Sequence, residues 1–277
     1  MTISNDTTIG QLLYFTPPLD GSKPYIYIND DGTRPQRNYQ QATHEVKIEN
    51  IRGKEDSVSL DKTGFQFYNR PAAHKSFQND EEIEKEYYPE SIALLKELTG
   101  ASLVVPFDHT IRRRRPGELD DSPQKRQPVP QVHIDQTPTS SRDRVRRHLP
   151  AEDVPRLLAN RFQIINLWRP IGNVALDWPL ALCDGRSVDE HVDLIPTTLK
   201  YPDRDGETFS VKFNPNHRWK YLRGMTPDEV VLIKCYDSKE DPSLATFTPH
   251  TAFEDPSTPA DAPLRQSIEV RFLVFYD

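Results

Sequence analysis

The sequence predicts a mainly β fold with flanking helices, and three observations carry that prediction. From Phe162 onward the chain is a succession of short β-branched and aromatic runs (FQIINLW, ALDWPLALC, FSVKF, RWKYL, EVVLIKCY and SIEVRFLVFY), parted by turns of Pro, Asp and Gly. Proline is abundant at 25 residues and glycine scarce at 11, which stiffens connections and disfavours long helices. Helical periodicity is confined to two stretches before Phe162. Closely spaced strands with helices only at their flanks favour an antiparallel sandwich or jelly roll over a parallel α/β sheet.

The elements follow in chain order. Tyr25 to Ile28 (YIYI), Glu45 to Ile51 (EVKIENI) and Gly64 to Tyr68 (GFQFY) alternate as strands do and are bounded by Pro, Gly and Asn. Asn79 to Leu98 opens on a capping residue and a run of acids. It then sets Ile92, Leu95 and Leu98 at helical spacing before Gly100, and Pro89 divides it. SLVVPFDHTI reads as a strand leading into Arg112 to Arg115. A second helical stretch spans about Ser140 to Asn160, with Val145, Leu149, Val154, Leu157 and Leu158 on its apolar side and Pro150 starting a new segment. No internal repeat is present, so residues 1–100 are expected to be an N-terminal β/α elaboration packed on a core of residues 101–277, one domain overall.

Composition excludes several function classes. Lys and Arg number 35 against 42 Asp and Glu, a net charge of -7, which gives no basic footprint for a nucleic acid. No apolar run approaches the roughly 20 residues of a membrane helix, and Met1 to Leu12 lacks the basic start and apolar stretch of a secretory signal. Two cysteines, Cys183 and Cys235, support neither a disulfide framework nor a four-thiolate zinc site. A cytoplasmic protein acting on a small molecule is expected; nothing fixes its oligomeric state.

The chemical signal lies in the eight histidines. His133 and His191 each precede an aspartate by two positions, as His133-Ile134-Asp135 and His191-Val192-Asp193. On a strand, residues two apart share a face, so imidazole and carboxylate can reach one metal. His133-Ile134-Asp135 follows QPVPQV, which its prolines hold extended, and is the preferred pair; His191-Val192-Asp193 sits in an acidic, turn-rich stretch that suits a structural role. A third ligand must come from a distance, and His250 is the natural candidate. Two histidines and one carboxylate leave coordination positions open, which is what iron(II) needs in order to hold a cosubstrate and dioxygen. Arg265, at the mouth of the last strand, could grip a dicarboxylate bidentately, and Arg271 on the same strand face is its rival; either could instead be an ion pair with Glu269.

Other residues carry weaker signals. Arg112 and Arg114 could orient an acidic substrate or form part of a solvated patch. Arg169 could touch a ligand or pair with Asp184 or Asp237. Tyr221, Trp219 and Tyr236 suit core packing, with Tyr221 offering a hydroxyl to the pocket. His217 reads as a hydrogen-bonded turn histidine rather than a metal ligand, and Arg142 to Arg147 as the wet face of a helix.

The ordered blocks Asn166-Leu-Trp168-Arg169-Pro170, Leu182-Cys183-Asp184, Tyr201-Pro-Asp203-Arg204, Asn214-Pro-Asn-His217-Arg218-Trp219-Lys-Tyr221, Lys234-Cys235-Tyr236-Asp237-Ser238, Phe247-Thr-Pro-His250-Thr-Ala-Phe253 and Arg265-Gln-Ser-Ile-Glu269-Val-Arg271 together resemble one known group. It is the non-haem iron and 2-oxoglutarate dependent oxygenases, narrowly the gibberellin desaturase, AsaB and CmcJ/NvfI-like branch, and the resemblance covers roughly positions 100 to 277. It implies a double-stranded β-helix (jelly roll, cupin-like), iron(II) on His133, Asp135 and His250, 2-oxoglutarate on Arg265 or Arg271, dioxygen as oxidant, and hydroxylation, desaturation or endoperoxide formation in secondary metabolism. A non-catalytic accessory subunit on the same fold is the alternative, and zinc hydrolysis at the triad lacks a paired general base.

Overall fold

A computed structural model describes residues 6–28, 35–120 and 122–276. The described strands are β1 (Thr7–Thr16), β2 (Tyr25–Tyr27), β3 (Gln40–Asn50), β4 (Phe65–Asn69), β5 (Leu103–Arg113), β6 (His133–Ile134), β7 (Phe162–Pro170), β8 (Leu180–Cys183), β9 (Leu194–Lys200), β10 (Asp205–Val211), β11 (Trp219–Tyr221), β12 (Glu229–Asp237), β13 (His250–Ala252) and β14 (Gln266–Phe275). The helices are α1 (Asp80–Glu82), a π-helical turn over Ile83–Tyr87, α2 (Tyr88–Thr99), α3 (Pro138–His148), α4 (Val154–Ala159) and α5 (Glu190–Asp193). The fold is therefore mostly β with few helices.

Local chemistry accounts for the helix ends. Asn79 caps α1 by accepting from the amides of Glu81 and Glu82, and Gly100 closes α2 in the left-handed conformation at φ 70°. Helical backbone runs on from α1 through the π turn into α2, and the shift in hydrogen-bond register at the π turn falls just before Pro89, which has no N–H to donate. Thr137 and Ser140 form a reciprocal capping box at the start of α3, and Pro150 lies between α3 and α4.

Two sheets result, ordered β1-β3-β11-β8-β13-β6-β10-β9-β2 and β4-β12-β7-β14-β5. Side-chain alternation explains how they stack. Trp168, Ile164, Val231, Ile233, Leu273 and Phe275 join Leu182, Ile134, Phe209 and Trp219 of the larger sheet in one buried cluster. The alternate residues Ile165, Leu167, Val230, Leu232, Val270 and Phe272 pack instead under Ile83, Tyr87 and Leu95 of the helical segment. The five-stranded sheet is thus covered on both faces, which is why β7, β12 and β14 read as continuous apolar runs.

The first hundred residues supply β1 and β2 at the two edges of the large sheet and β4 at one edge of the small one. They also supply β3, which lies inside the large sheet against β11. Among the described residues no helix is long and apolar enough to cross a membrane. Cys183 and Cys235 are buried free thiols, and burial pushes Cys183 up to about 12.

Candidate metal centre

The short strands β6 and β13 are antiparallel neighbours with His133 directly opposite His250, their ring centroids 4.5 Å apart. Ile134 turns its side chain into the core, so His133 and Asp135 both emerge on the other side of the segment. One ligand atom from each of His133, Asp135 and His250 lies within 4.8 Å of the other two. Asp135 Oδ1 stands 3.4 Å from His133 Nε2 and 3.9 Å from His250 Nε2.

Both imidazoles are held in the tautomer that a metal requires. His133 Nδ1 donates to the Gln131 carbonyl at 2.8 Å, and His250 Nδ1 donates to the Thr248 carbonyl at 3.0 Å. A carbonyl accepts only, so each proton sits on Nδ1 and the Nε2 lone pair is free to bind an ion. The segments that carry these carbonyls are themselves fixed. The Val132 amide donates to Leu13 of β1, and Gln131 Oε1 accepts from Gln41 at 2.6 Å and Arg37 at 3.2 Å. Thr248 donates to the Gly64 carbonyl; Gly64 lies at φ 91°, where an added Cβ would meet Thr248 Oγ1 at 2.2 Å.

The carboxylate is oriented from the opposite sheet. Asp135 Oδ2 accepts from Asn166 Nδ2 at 2.8 Å and from Arg271 Nε at 3.0 Å, which leaves Oδ1 facing the imidazoles. Burial alone would raise the Asp135 acid, but the Arg271 guanidinium and the two imidazoles hold it well below the usual carboxylate range. Arg271 further bonds Asp108 and Thr110, each at 3.0 Å, and Glu269 at 2.5 Å. Its guanidinium is therefore taken up by protein acids. Arg271 is thus placed against Asp135 and in the ion pair with Glu269 that the sequence offered as the alternative to a grip on a cosubstrate.

Arg265 is differently placed. It is 2% exposed and borders a narrow pocket together with His133, His250, Arg112, Trp168 and Glu269. Its Nη1 donates to the Trp178 carbonyl at 2.6 Å, its guanidinium lies 5.4 Å from the Trp168 ring centroid, and its Nε has no partner among the described residues. Burial, with Arg112 alongside, pulls this cation down to about 9. Trp178, whose carbonyl meets it, adopts φ 45°, a left-handed conformation that costs energy for a bulky residue and is held by its surroundings. Asp177 beside it accepts from the Arg265 amide at 3.0 Å and from Arg114 Nη1 at 2.6 Å.

Arg112 does border that pocket, with its Nη1 on the Gln127 carbonyl. Arg114 does not: β5 has ended, and its guanidinium is spent on Asp177 and the face of Trp178. Arg169 is also corrected. It projects to the helix-covered face of its sheet, bonding the Tyr87 hydroxyl at 2.9 Å and the Pro227 carbonyl at 2.8 Å, and neither Asp184 nor Asp237 is its partner. Tyr221 is fully buried, with its hydroxyl on Asp255 at 3.0 Å, away from both cavities. His191 and Asp193 lie on α5 rather than a strand, and buried Asp193 bonds Asn214 and His217. Sequence reasoning did not single out Asn166; its signal was register, since it lies opposite Arg271 and two residues from Trp168 on the inward face of β7.

A second, larger cleft of about 240 Å³ reaches Asp135 from the side of α3, β9 and β10. The triad therefore stands between two cavities, the narrow one on its histidine side and the wide one on its carboxylate side.

A family model described as "Oxidoreductase/YMDC permease-like domain" matches residues 12–275. The hydroxylase/desaturase efuI of Hormonema carpetanum is 36% identical over 99% of this chain and 97% of its own. The Fe(II)/2-oxoglutarate-dependent dioxygenase nvfI of Aspergillus novofumigatus is 35% identical over 95% of each. A solved structure of the iron and alpha-ketoglutarate-dependent endoperoxidase NvfI superposes with a TM-score of 0.85 at 32% identity, covering 99% of both chains.

Proposed function

We propose, from the premise that this chain belongs to the family of those hydroxylase/desaturases and iron(II)/2-oxoglutarate-dependent dioxygenases, that it oxidises a C–H bond of a small molecule in secondary metabolite biosynthesis. Its two-sheet architecture is read as the double-stranded β-helix, with residues 1–100 an elaboration on a core of residues 101–277, and it is taken to act in the cytoplasm. The observation that carries the reading is the donor set: two Nε2 lone pairs fixed by backbone carbonyls and one carboxylate oxygen, gathered within 4.8 Å. Three such ligands on one face suit iron(II) and leave positions open for a chelating keto acid and dioxygen.

In this reading His133, Asp135 and His250 hold iron, which with 2-oxoglutarate supplies the oxidising power drawn from dioxygen. Arg265 takes the far carboxylate of 2-oxoglutarate. The unpartnered Nε and the cation's burial support that role, since a buried guanidinium short of acceptors gains most from a charge-assisted bond. Arg112, on the same pocket, adds positive charge there. Arg271 and Asn166 keep Asp135 ionised and aimed. The wide cleft at Asp135 receives the substrate. A non-catalytic accessory role would not require the imidazole tautomers to be fixed in this way. Anaerobic titration with iron(II) and 2-oxoglutarate tests the proposal: a visible charge-transfer band of the chelated keto acid is expected, and its absence at saturating metal refutes it.

A further inference from the structure

The wide cleft is walled on one side by α3, and Arg144 and Arg147, one turn apart on that helix, both face it. Two other cations on the cleft are engaged: Lys23 lies 3.2 Å from Glu207, and Arg204 lies 3.4 Å from Asp203. Arg144 is half-buried and has no hydrogen-bond or ion-pair partner among the described residues. Its guanidinium carbon lies over the Phe107 ring, 4.9 Å from the centroid. The acid whose charge reaches it, Asp108, is already paired with Arg271. The wet helix face expected from Arg142 to Arg147 is thus divided: Arg146 pairs with Asp143 in solvent, while Arg144 turns inward.

A cation held over a ring spends no hydrogen-bond donor on it, and a guanidinium partly removed from water without an acid partner is under-compensated. From this geometry, and resting on the oxygenase reading above, we infer that the primary substrate carries a carboxylate which Arg144 grips in the cleft beside Asp135, with Arg147 adding positive charge. A single carboxylate fits better than a polyanion because Asp143, Asp205 and Glu207 border the same space. The grip fixes one end of the substrate and so determines which carbon lies next to the metal ligands.

Paired probes test this on protein loaded anaerobically with iron(II) and saturating 2-oxoglutarate. Benzoate, decanoate and dehydroabietate are titrated against their methyl esters by calorimetry. At least one acid is expected to bind about tenfold or more tighter than its ester. Arg144→Leu should reduce that acid to the level of its ester with 2-oxoglutarate affinity unchanged, and Arg144→Lys should restore part of the difference. Acids and esters binding alike, no acid binding, or undiminished acid binding by Arg144→Leu overturns the inference. So does an acid expelled by rising 2-oxoglutarate, which would place it in the Arg265 pocket. The acid–ester comparison on the unaltered protein decides the matter even if Arg144→Leu does not fold. Failure to take up 2-oxoglutarate with iron would sink the oxygenase reading instead, and the same probes on metal-free protein would still judge Arg144.

Discussion

At the scale of single residues, the centre divides labour between atoms that would touch the metal and atoms that aim them. His133→Ala, Asp135→Ala and His250→Ala should each abolish stoichiometric iron binding, because two remaining protein ligands hold a divalent ion poorly. His191→Ala should bind iron normally. Asp193→Ala should too, while losing about 2 kcal/mol or more of stability through the donors stranded on His217 and Asn214. Iron retained by a triad variant and lost by an α5 variant would move the site. Arg265, just before the last strand, and Arg271, within it, should separate by readout. Arg265→Leu is expected to weaken 2-oxoglutarate with little change in iron affinity. Arg271→Leu, which frees Asp135 and leaves Glu269 unpaired, should weaken iron by roughly 10- to 100-fold, the usual consequence of losing a partner that orients a ligand. Measuring both affinities for both variants decides it; a 2-oxoglutarate defect confined to Arg271→Leu would reverse the roles.

Among the elements, the five-stranded sheet supplies the rigid side of the centre, and β12 is pinned to β7 by a buried ionic knot. Asp237 accepts from Lys234 at 3.0 Å, from Arg161 at 2.6 Å and from Gln163 at 2.6 Å, with Lys234 fully buried. Burial would raise the Asp237 acid, but Arg161 and Lys234 lower it, so its stabilising effect is complete above the unfolded value and fades as pH falls through the lower folded one. Asp237→Asn should therefore cost about 2 kcal/mol or more near neutral pH by leaving buried Lys234 with Asp61 as its remaining acid, 3.4 Å away, with the gap from wild type narrowing below about pH 4. Urea unfolding across pH measures it, and a pH-independent gap would show that charge is not what the knot contributes. How legible each element was follows from the same physics. β7, β12 and β14 announce themselves because both faces of their sheet are covered. β6 and β13, at two and three residues, are too short to show any period, and only the His-x-Asp spacing and a lone distal histidine marked them. β1 escaped notice because its buried side opens on Gly10 before Leu12 and Tyr14, while Ile9 stands on the exposed side and blurs the alternation, although β1 pairs with β3 along its whole length. Arg144 was invisible for a different reason: nothing in RDRVRR says which arginine will find Phe107.

For the whole molecule, the decisive feature is that neither sheet builds the centre alone. The nine-stranded sheet contributes His133 and His250, while Asn166, Glu269 and Arg271 reach Asp135 and its surroundings from the five-stranded one. The inward faces of β5, β7 and β14 are polar only at this end, where Asp108, Thr110 and Arg112 line up beside Arg271, Glu269 and Ser267. A metal on the triad would thus complete a junction that exists only when both sheets are folded and stacked. The unfolded chain offers no such constellation, so iron binding should appear almost wholly as folding stability. At free iron(II) about 100 times its dissociation constant, the gain is about 2.7 kcal/mol. For a chain of this size that corresponds to a rise in melting midpoint of roughly 5 °C, measured anaerobically with 2-oxoglutarate present. Chelator should reverse it. His133→Ala should show no rise, since its ion has nowhere to bind. Arg271→Leu should show a smaller one, because the carboxylate that links the metal to the second sheet is then held by Asn166 alone. An equal rise in His133→Ala would mean that iron stabilises the protein from somewhere other than this junction.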